Sequence, residues 1–229
     1  MDLQETMGKY GIKYQPAVIC PDIACAKSAA SRFGYPVALK ISSKKFTHKS
    51  DVGGVALGIK GDSELEKAYD SVIGKVGRGN VDGVLVQKMS QQGFELIIGG
   101  MKDSQFGHLV MVGLGGIYVE VMKDFAFRIC PVSKPEAIEM IRSLKSYKII
   151  SGARGKKPID EGALAEMIVR TSRMIVAEDL SELDFNPVIA NERGCTVIDW
   201  RFSKPGDRQD ETISAGAAGS AISKQNGGN

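Results

Sequence analysis

The sequence predicts an α+β protein of two lobes that meet at a hinge near Gln87-Lys88-Met89. Three observations predict it. Residues at spacings of three and four mark amphipathic helices on either side of one apolar strand in the N-terminal part; β-type segments dominate from Gly83 to Pro131; helices then return before a final pair of short strands. The boundaries that follow are 1–87 for the first lobe, 88–203 for the second, and 204–229 for a flexible tail rich in Gly, Ser, Ala, Gln and Asn.

The first helix spans 22–33: Asp22 is its N-cap, Ile23, Ala26, Ala30 and Phe33 form its apolar face, and Gly34 with Pro36 stops it. It leads into the strand Val37-Ala38-Leu39-Lys40-Ile41. Ser63-x-x-Glu66 reads as a capping box opening a second helix, with Leu65, Ala68, Tyr69, Val72, Ile73 and Val76 inward. Strands follow at 83–88, 94–99, 109–114, 118–122 and 125–131, and Gly113-Leu114-Gly115-Gly116 reads as a sharp turn. Helices are expected at about 134–146 and 160–177, the second capped by Asp160, and strands at 182–189 and 196–200.

Composition narrows the function. The chain has 229 residues, 43% hydrophobic and 25% charged, with a net charge of +3, which is the balance of a globular protein with a real core. No continuously apolar window is long enough to cross a membrane, and Met1-Asp2-Leu3-Gln4-Glu5 is no signal start, so a cytoplasmic location is expected. The four cysteines, Cys20, Cys25, Cys130 and Cys195, show no CxxC spacing and read as reduced thiols rather than a zinc site. The basic residues lack the dense clustering of a nucleic-acid surface.

The densest chemistry lies in 40–55. Lys40 leaves an apolar strand as a point charge suited to a nucleotide phosphate, a basic loop with His48 between Lys45 and Lys49 follows, and Gly53-Gly54 allows backbone N–H groups to approach a phosphate. A surface hairpin with solvated lysines satisfies the same local pattern. No Walker A sequence occurs, and Gly113-x-Gly115-Gly116 lacks the third glycine of a dinucleotide fingerprint. Near the C-terminus, Asp184-Phe185-Asn186-Pro187 and Ile198-Asp199-Trp200 put an amide oxygen and a carboxylate on neighbouring strands, hard donors of the kind Mg²⁺ takes together with phosphate oxygens. A solvated acidic turn is the other reading of that hairpin. A cleft between two lobes is a common place for a nucleotide.

Taken in order, these segments resemble the β subunit of the ADP-forming acetyl-CoA synthetases, an ATP-grasp protein. They are Lys40, the His48–Gly54 loop, Val86-Gln87-Lys88-Met89, Phe94-Glu95 through Gly99, Gly113 through Glu120, Asp124-Phe125-Ala126-Phe127-Arg128, and Asp184-x-Asn186-Pro187 with Asp199. The likeness covers about residues 5–203, and the β subunit of succinyl-CoA synthetase is a weaker match of the same kind.

The resemblance implies an ATP-grasp fold with the nucleotide in the cleft between the lobes. It implies that Lys40, with Gly53 and Gly54, contacts the phosphates of ADP or ATP, that Gln87, Lys88 and Met89 frame the adenine, and that Glu95 reaches the ribose or hinge. Asn186 and Asp199 would hold Mg²⁺, with Asp184 in support, and Glu120 and Arg128 would line the cleft, Arg128 neutralising charge on the transferring phosphoryl group. His48 would be phosphorylated transiently and hand the group to ADP. His108 reads as structural. A separate α subunit, in an α2β2 heterotetramer, would make the acyl phosphate, and Ser151 to Pro158, basic at Arg154 to Lys157, resembles the segment near the subunit contact, though Ala153 stands where an aromatic is often found. The reaction implied is acyl-CoA + ADP + phosphate giving acid + ATP + CoA. A stand-alone ATP-grasp carboxylate–amine ligase and a non-catalytic nucleotide-binding subunit are the alternatives.

Overall fold

A computed structural model of the chain describes residues 3–42, 53–116, 123–152, 157–207 and 213–214. Two compact units result: Gln15–Met89, and Ser90–Ser214 together with the N-terminal segment through Tyr14. The division falls beside the expected hinge, but the first fourteen residues group with the C-terminal unit. Their helix α1 (Leu3–Lys9) buries Leu3, Thr6 and Met7, and Tyr14 bridges to Val197 and meets the Trp200 ring edge-on at 5.9 Å.

In the first unit, β1 (Ala17–Cys20), β2 (Val37–Ser42), β3 (Val55–Ile59) and β4 (Gly83–Lys88) form an antiparallel sheet in the order β1-β4-β2-β3. Helix α2 (Ile23–Phe33) packs on β1 and β4, and α3 (Asp62–Val76) on β2 and β3. Asp22 caps α2 as expected, accepting the Cys25 N–H at 2.8 Å. The Ser63 capping box does not form: α3 starts two residues earlier, from Gly61 as N-cap, and Glu64 rather than Glu66 turns back to accept the Lys60 N–H at 2.8 Å. Strand alternation sends Val37, Leu39, Ile41, Val84 and Val86 into the core under the helices. Ala38, Lys40, Leu85 and Gln87 therefore share the opposite face.

The second unit holds a seven-stranded sheet. Strands β5 (Phe94–Asp103), β6 (Gly107–Leu114), β7 (Phe125–Ile129), β8 (Glu182–Asn191), β10 (Trp200–Ser203) and β11 (Ile213–Ser214) follow the order β11-β10-β8-β5-β6-β7, and β9 (Gly194–Val197) also pairs with β8. Helices α4 (Lys134–Ser143) and α6 (Glu161–Ala177) cover one face, with the short α5 (Tyr147–Ile150) between them in sequence. Ser133 and Glu136 build the capping box of α4, and Asp160 caps α6 as predicted. Gly100 shows how closely α6 approaches: a Cβ there would lie 2.3 Å from Ile175.

Three expectations change. The helix at 134–146 ends at Ser143 because Leu144 turns extended. The strand expected at 196–200 is two strands, broken at Ile198-Asp199. The segment expected as tail contributes β11, paired with β10 through Arg201 and Phe202. The strand expected at 118–122 lies outside the described residues.

Candidate functional site

The break at Ile198-Asp199 organises the site. On β8, Leu183 and Phe185 point into the core and Asp184 lies between them; on β10, Trp200 and Phe202 point inward and Arg201 lies between them. The register pairs Phe185 with Trp200 and Asp184 with Arg201. Against β5 the pairing shifts between Leu96 and Ile98, giving β8 one extra residue at Asn186-Pro187. Such a bulge re-aims side chains, and proline, having no N–H, suits it. The Asn186 N–H donates to the Asp199 carbonyl at 3.0 Å and the Ile198 N–H to the Pro187 carbonyl at 3.0 Å. These two bonds hold Asn186 beside Asp199. The Asp199 carboxylate is itself oriented, accepting the Trp200 N–H at 2.9 Å.

Asp184 lies on the same side of the sheet, opposite the face that α4 and α6 cover. Burial pushes its carboxyl up; Arg201 opposes the shift, while Asp199 and Glu182 reinforce it. Three carboxylates near one another, offset by one guanidinium, favour a cation. Among the described residues no three or more His, Cys, Asp or Glu form a ready metal cage. The oxygen donors Asn186, Asp199 and Asp184 fit a hard ion that keeps waters and binds phosphate, as Mg²⁺ does.

The row Asp184, Gly99, Met111, Phe127 runs across β8, β5, β6 and β7 in register. It lines an open cavity of about 370 Å³ with Met101, Leu109 and Glu182. Arg128 is not brought to this group. One residue beyond Phe127, it pairs with Val110 on the side where the helices pack, donates to the Phe127 carbonyl at 2.9 Å, and its charge acts on Glu136 of α4.

Glu95 is exposed at the start of β5, with two glycines packed against it. The Gly115 N–H donates to the Glu95 carbonyl at 2.7 Å. A Cβ on Gly115 would lie 3.0 Å from that carbonyl, and a Cβ on Gly116, at φ +65°, 2.5 Å from the Glu95 carboxylate. Gly113 and Leu114 remain in the strand, so the turn begins at Gly115. The base of the following segment is also fastened: buried Asp124 accepts the N–H groups of Lys145 at 2.9 Å and Ser146 at 2.7 Å.

In the first unit, Lys40 is half-buried on the central strand β2, between Leu85 of β4 and Val55 of β3. The Ile41 N–H donates to the Gly54 carbonyl at 2.8 Å. Ile41 and Gly54, on the described flanks of the segment that bears His48, are thus paired next to Lys40. Gly53 adopts φ +66°, a conformation that favours glycine. Gln87 is buried, its amide donating to the Gln15 carbonyl at 3.3 Å; the Gln15 amide donates to the Met89 carbonyl at 3.4 Å, and the Met89 N–H to the Pro36 carbonyl at 3.1 Å. Gln87 and Met89 are thus tied to the chain's own β1 segment, and Lys88 is exposed. His48, Glu120, Arg154 and Lys156 lie outside the described residues.

His108, for which a structural role is expected, sits beside an ion pair. Its Nε2 lies 3.1 Å from Asp179 Oδ1, which also pairs with Lys102. Sequence reasoning missed Arg201 and the Glu95–glycine packing; the out-in-out-in pattern Asp199-Trp200-Arg201-Phe202 carried the signal for the first.

Comparisons with known proteins identify the family and the fold. The ATP-grasp domain family matches residues 1–203. The β subunit of Acetate--CoA ligase [ADP-forming] I of Pyrococcus furiosus is 38% identical over 206 residues, covering 88% of this chain and 89% of that protein. Acetate--CoA ligase [ADP-forming] I of Archaeoglobus fulgidus is 44% identical over 198 residues, 84% of this chain. The chain spans only 29% of that protein's length, and 30% of a 4-hydroxybutyrate--CoA ligase [ADP-forming] from Nitrosopumilus maritimus. Acetyl-coenzyme A synthetase 1 of Candidatus Korarchaeum cryptofilum, solved with coenzyme A and Ca-AMPCP, superposes with a TM-score of 0.83 at 39% identity, covering 88% of this chain and 90% of that one. The same protein with coenzyme A and Mg-AMPPCP, its phosphohistidine segment pointing towards the nucleotide binding site, gives 0.78 at 38% identity, covering 88% and 89%. The fold is ATP-grasp. The chain belongs to the ATP-grasp family and, within it, to the β subunits of the ADP-forming acetyl-CoA synthetases. No described helix is long and apolar enough to cross a membrane.

Proposed function

We propose that this chain is the nucleotide-binding β subunit of an ADP-forming acyl-CoA synthetase, which receives a phosphoryl group on His48 and passes it to ADP. The observation that carries the reading is the grouping of Asn186, Asp199 and Asp184 on the sheet face opposite α4 and α6, held by the Asn186 N–H to Asp199 carbonyl bond. Lys40 contacts the nucleotide phosphates, the glycines at 53 and 54 allow backbone approach, and Glu95, fixed by Gly115 and Gly116, orients the nucleoside end. Asn186 and Asp199 hold Mg²⁺, which supplies charge neutralisation on the nucleotide phosphates when bound. Asp184 supports the metal pair from a second position. In the transfer, the His48 N–P bond breaks as a β-phosphate oxygen of ADP forms the new O–P bond, leaving a neutral imidazole and ATP. An α subunit makes the acyl phosphate and delivers its phosphoryl group, in a complex of two α and two β chains. The overall reaction is acyl-CoA + ADP + phosphate giving acid + ATP + CoA.

Incubation with ATP labelled at the γ-phosphate tests the transfer. Acid-labile, base-stable label on the wild-type chain, its absence from His48→Ala, and a loss of coupled turnover on the order of 10³-fold or more are expected. A His48→Ala variant that keeps full turnover with its α subunit would refute the relay. ATP synthesis by this chain alone from acetyl-CoA, ADP and phosphate would refute the division of labour.

A further inference from the structure

We propose that Arg201 is a specificity-determining residue: it lets the metal pair take a divalent ion that arrives on a nucleotide and opposes the same ion when it arrives bare. The inference rests on the metal reading of Asn186 and Asp199, and adds to it the residue that sets what the pair accepts.

Four side chains make a two-by-two arrangement on the sheet face opposite α4 and α6. Strand β8 pairs with β10 so that Phe185 lies opposite Trp200 and Asp184 opposite Arg201. The same antiparallel register, carried one residue further, brings Asn186 opposite Asp199, where the Asn186 N–H to Asp199 carbonyl bond at 3.0 Å holds them. Phe185, Trp200 and Phe202 are buried in the core, so strand alternation turns Asp184 and Arg201, both half-buried, to the other side. Directly opposite residues on neighbouring strands stand about 5 Å apart at Cβ, and diagonal ones about 7–8 Å. Arg201 is thus the cross-strand neighbour of Asp184 and lies two residues along its own strand from Asp199. Glu182 follows on β8, opposite Ser203. Trp200 and Phe202, packed inward on either side, fix the Arg201 backbone, and its positive charge acts on the Asp184 carboxylate.

The charges decide what can bind. Asp184, Asp199 and Glu182 attract any cation, yet among the described residues no three such side chains are arranged as a cage. A bare ion therefore finds few ligands and depends on the field of the patch. Arg201 repels that ion across the diagonal of the arrangement. A metal–nucleotide complex carries net negative charge, and its phosphate oxygens match a guanidinium in both charge and geometry. The one side chain opposes the free ion and attracts the complex. Those two effects have opposite signs, which a purely structural role of Arg201 would not produce.

Isothermal titration of the full chain at fixed ionic strength, with Mn²⁺ alone and with Mn-ADP, tests this. Wild type should bind Mn-ADP more tightly than bare Mn²⁺. In Arg201→Met, Kd for bare Mn²⁺ should fall on the order of 10-fold, while Kd for Mn-ADP should rise. Arg201→Lys keeps the charge and should stay near wild type in both titrations. A methionine variant that binds bare Mn²⁺ no better than wild type, or that binds both more weakly, would overturn the proposal. So would a wild type that binds bare Mn²⁺ as tightly as Mn-ADP, a result that depends on no variant folding. Asp199→Asn keeps the inference apart from the metal reading. If that variant loses Mn-ADP affinity while Arg201→Met changes neither titration, the role of Arg201 fails and the metal pair stands. If Asp199→Asn leaves Mn-ADP binding unchanged, the metal pair falls and the inference falls with it.

Discussion

Asp199→Asn separates the charge of the metal pair from its architecture. The residue has two roles in the structure: its carbonyl accepts the Asn186 N–H, and its carboxylate accepts the Trp200 N–H at 2.9 Å. The first belongs to the backbone and survives any substitution. An amide oxygen fills the second, so the chain break and the β8–β10 pairing remain. Only the negative charge goes. Two unit charges 4 Å apart interact with about 4 kcal/mol at an effective dielectric of about 20. The half-exposed position lowers that figure, and the doubled charge of Mg²⁺ would be offset by the charge of the nucleotide phosphates. A loss of about 3 kcal/mol, on the order of 100-fold in Kd for Mg-ADP, is the expected result. Isothermal titration at fixed ionic strength, with Mg-ADP and with ADP in EDTA, measures it: the variant should lose affinity for the first and approach the wild type for the second. Unchanged Mg-ADP affinity in a folded variant would refute the assignment of Asp199 to the metal.

Gly115→Ala puts a Cβ 3.0 Å from the Glu95 carbonyl and 3.1 Å from the Leu96 backbone, neither of which can rotate away. A stability loss of about 1–3 kcal/mol and weaker nucleotide binding are expected, and a urea midpoint equal to wild type would contradict the contact. For Asp124, burial pushes the carboxyl up, but hydrogen bonds from Ser146 and Lys145 outweigh it and leave it below the usual range. A depressed value means stability present above the unfolded-state value and lost as pH falls through the folded one. Asp124→Asn should therefore cost about 1–3 kcal/mol near neutrality and little in strong acid, as denaturation from pH 7 downward would show; a pH-independent difference would argue against it. Asp184 has the opposite sign, its carboxyl raised first by burial. Its ionised form costs stability that returns as pH falls through the raised value, so Asp184→Asn should be the more stable protein at pH 7 without nucleotide and lose coupled turnover. A less stable variant at pH 7 would contradict that.

Where hydrophobic periodicity and local caps decide structure, the sequence was legible. Asp22 and Asp160 cap their helices, and β4 runs over the expected 83–88. The Ser63 box failed because Gly61 and Glu64 offered a competing start two residues earlier, a choice that spacing alone does not settle. The pair Asn186 and Asp199 could be named from residue type, but the bulge that turns Asn186 outward and the break that frees Asp199 from a continuous strand depend on pairing with β5 and β10. Arg128 stands apart from the metal pair for the related reason that strand side chains alternate: its place beside Phe127 in sequence puts it on the other face of the sheet. Glu95 was named, yet the reason it needs two glycines across the strand pair is visible only in three dimensions.

The electrostatics of the sheet face opposite α4 and α6 connect these residues to one another. Asp184 is held among Asp199, Glu182 and Arg201, with burial already opposing its charge. A chain folding for stability alone would place a neutral side chain there, because a buried carboxylate only partly offset by Arg201 raises the free energy of the fold. A cation arriving with its phosphates offsets that cost: positive charge beside Asn186 and Asp199 adds an attraction that counters the repulsion of Asp199 and Glu182 on Asp184. Nucleotide affinity and fold stability are thus linked through the same side chains. Mg-ADP binding should stabilise the wild type by more than its affinity contributes to an Asp184→Asn variant, because the wild type alone carries the repulsion that the ion relieves.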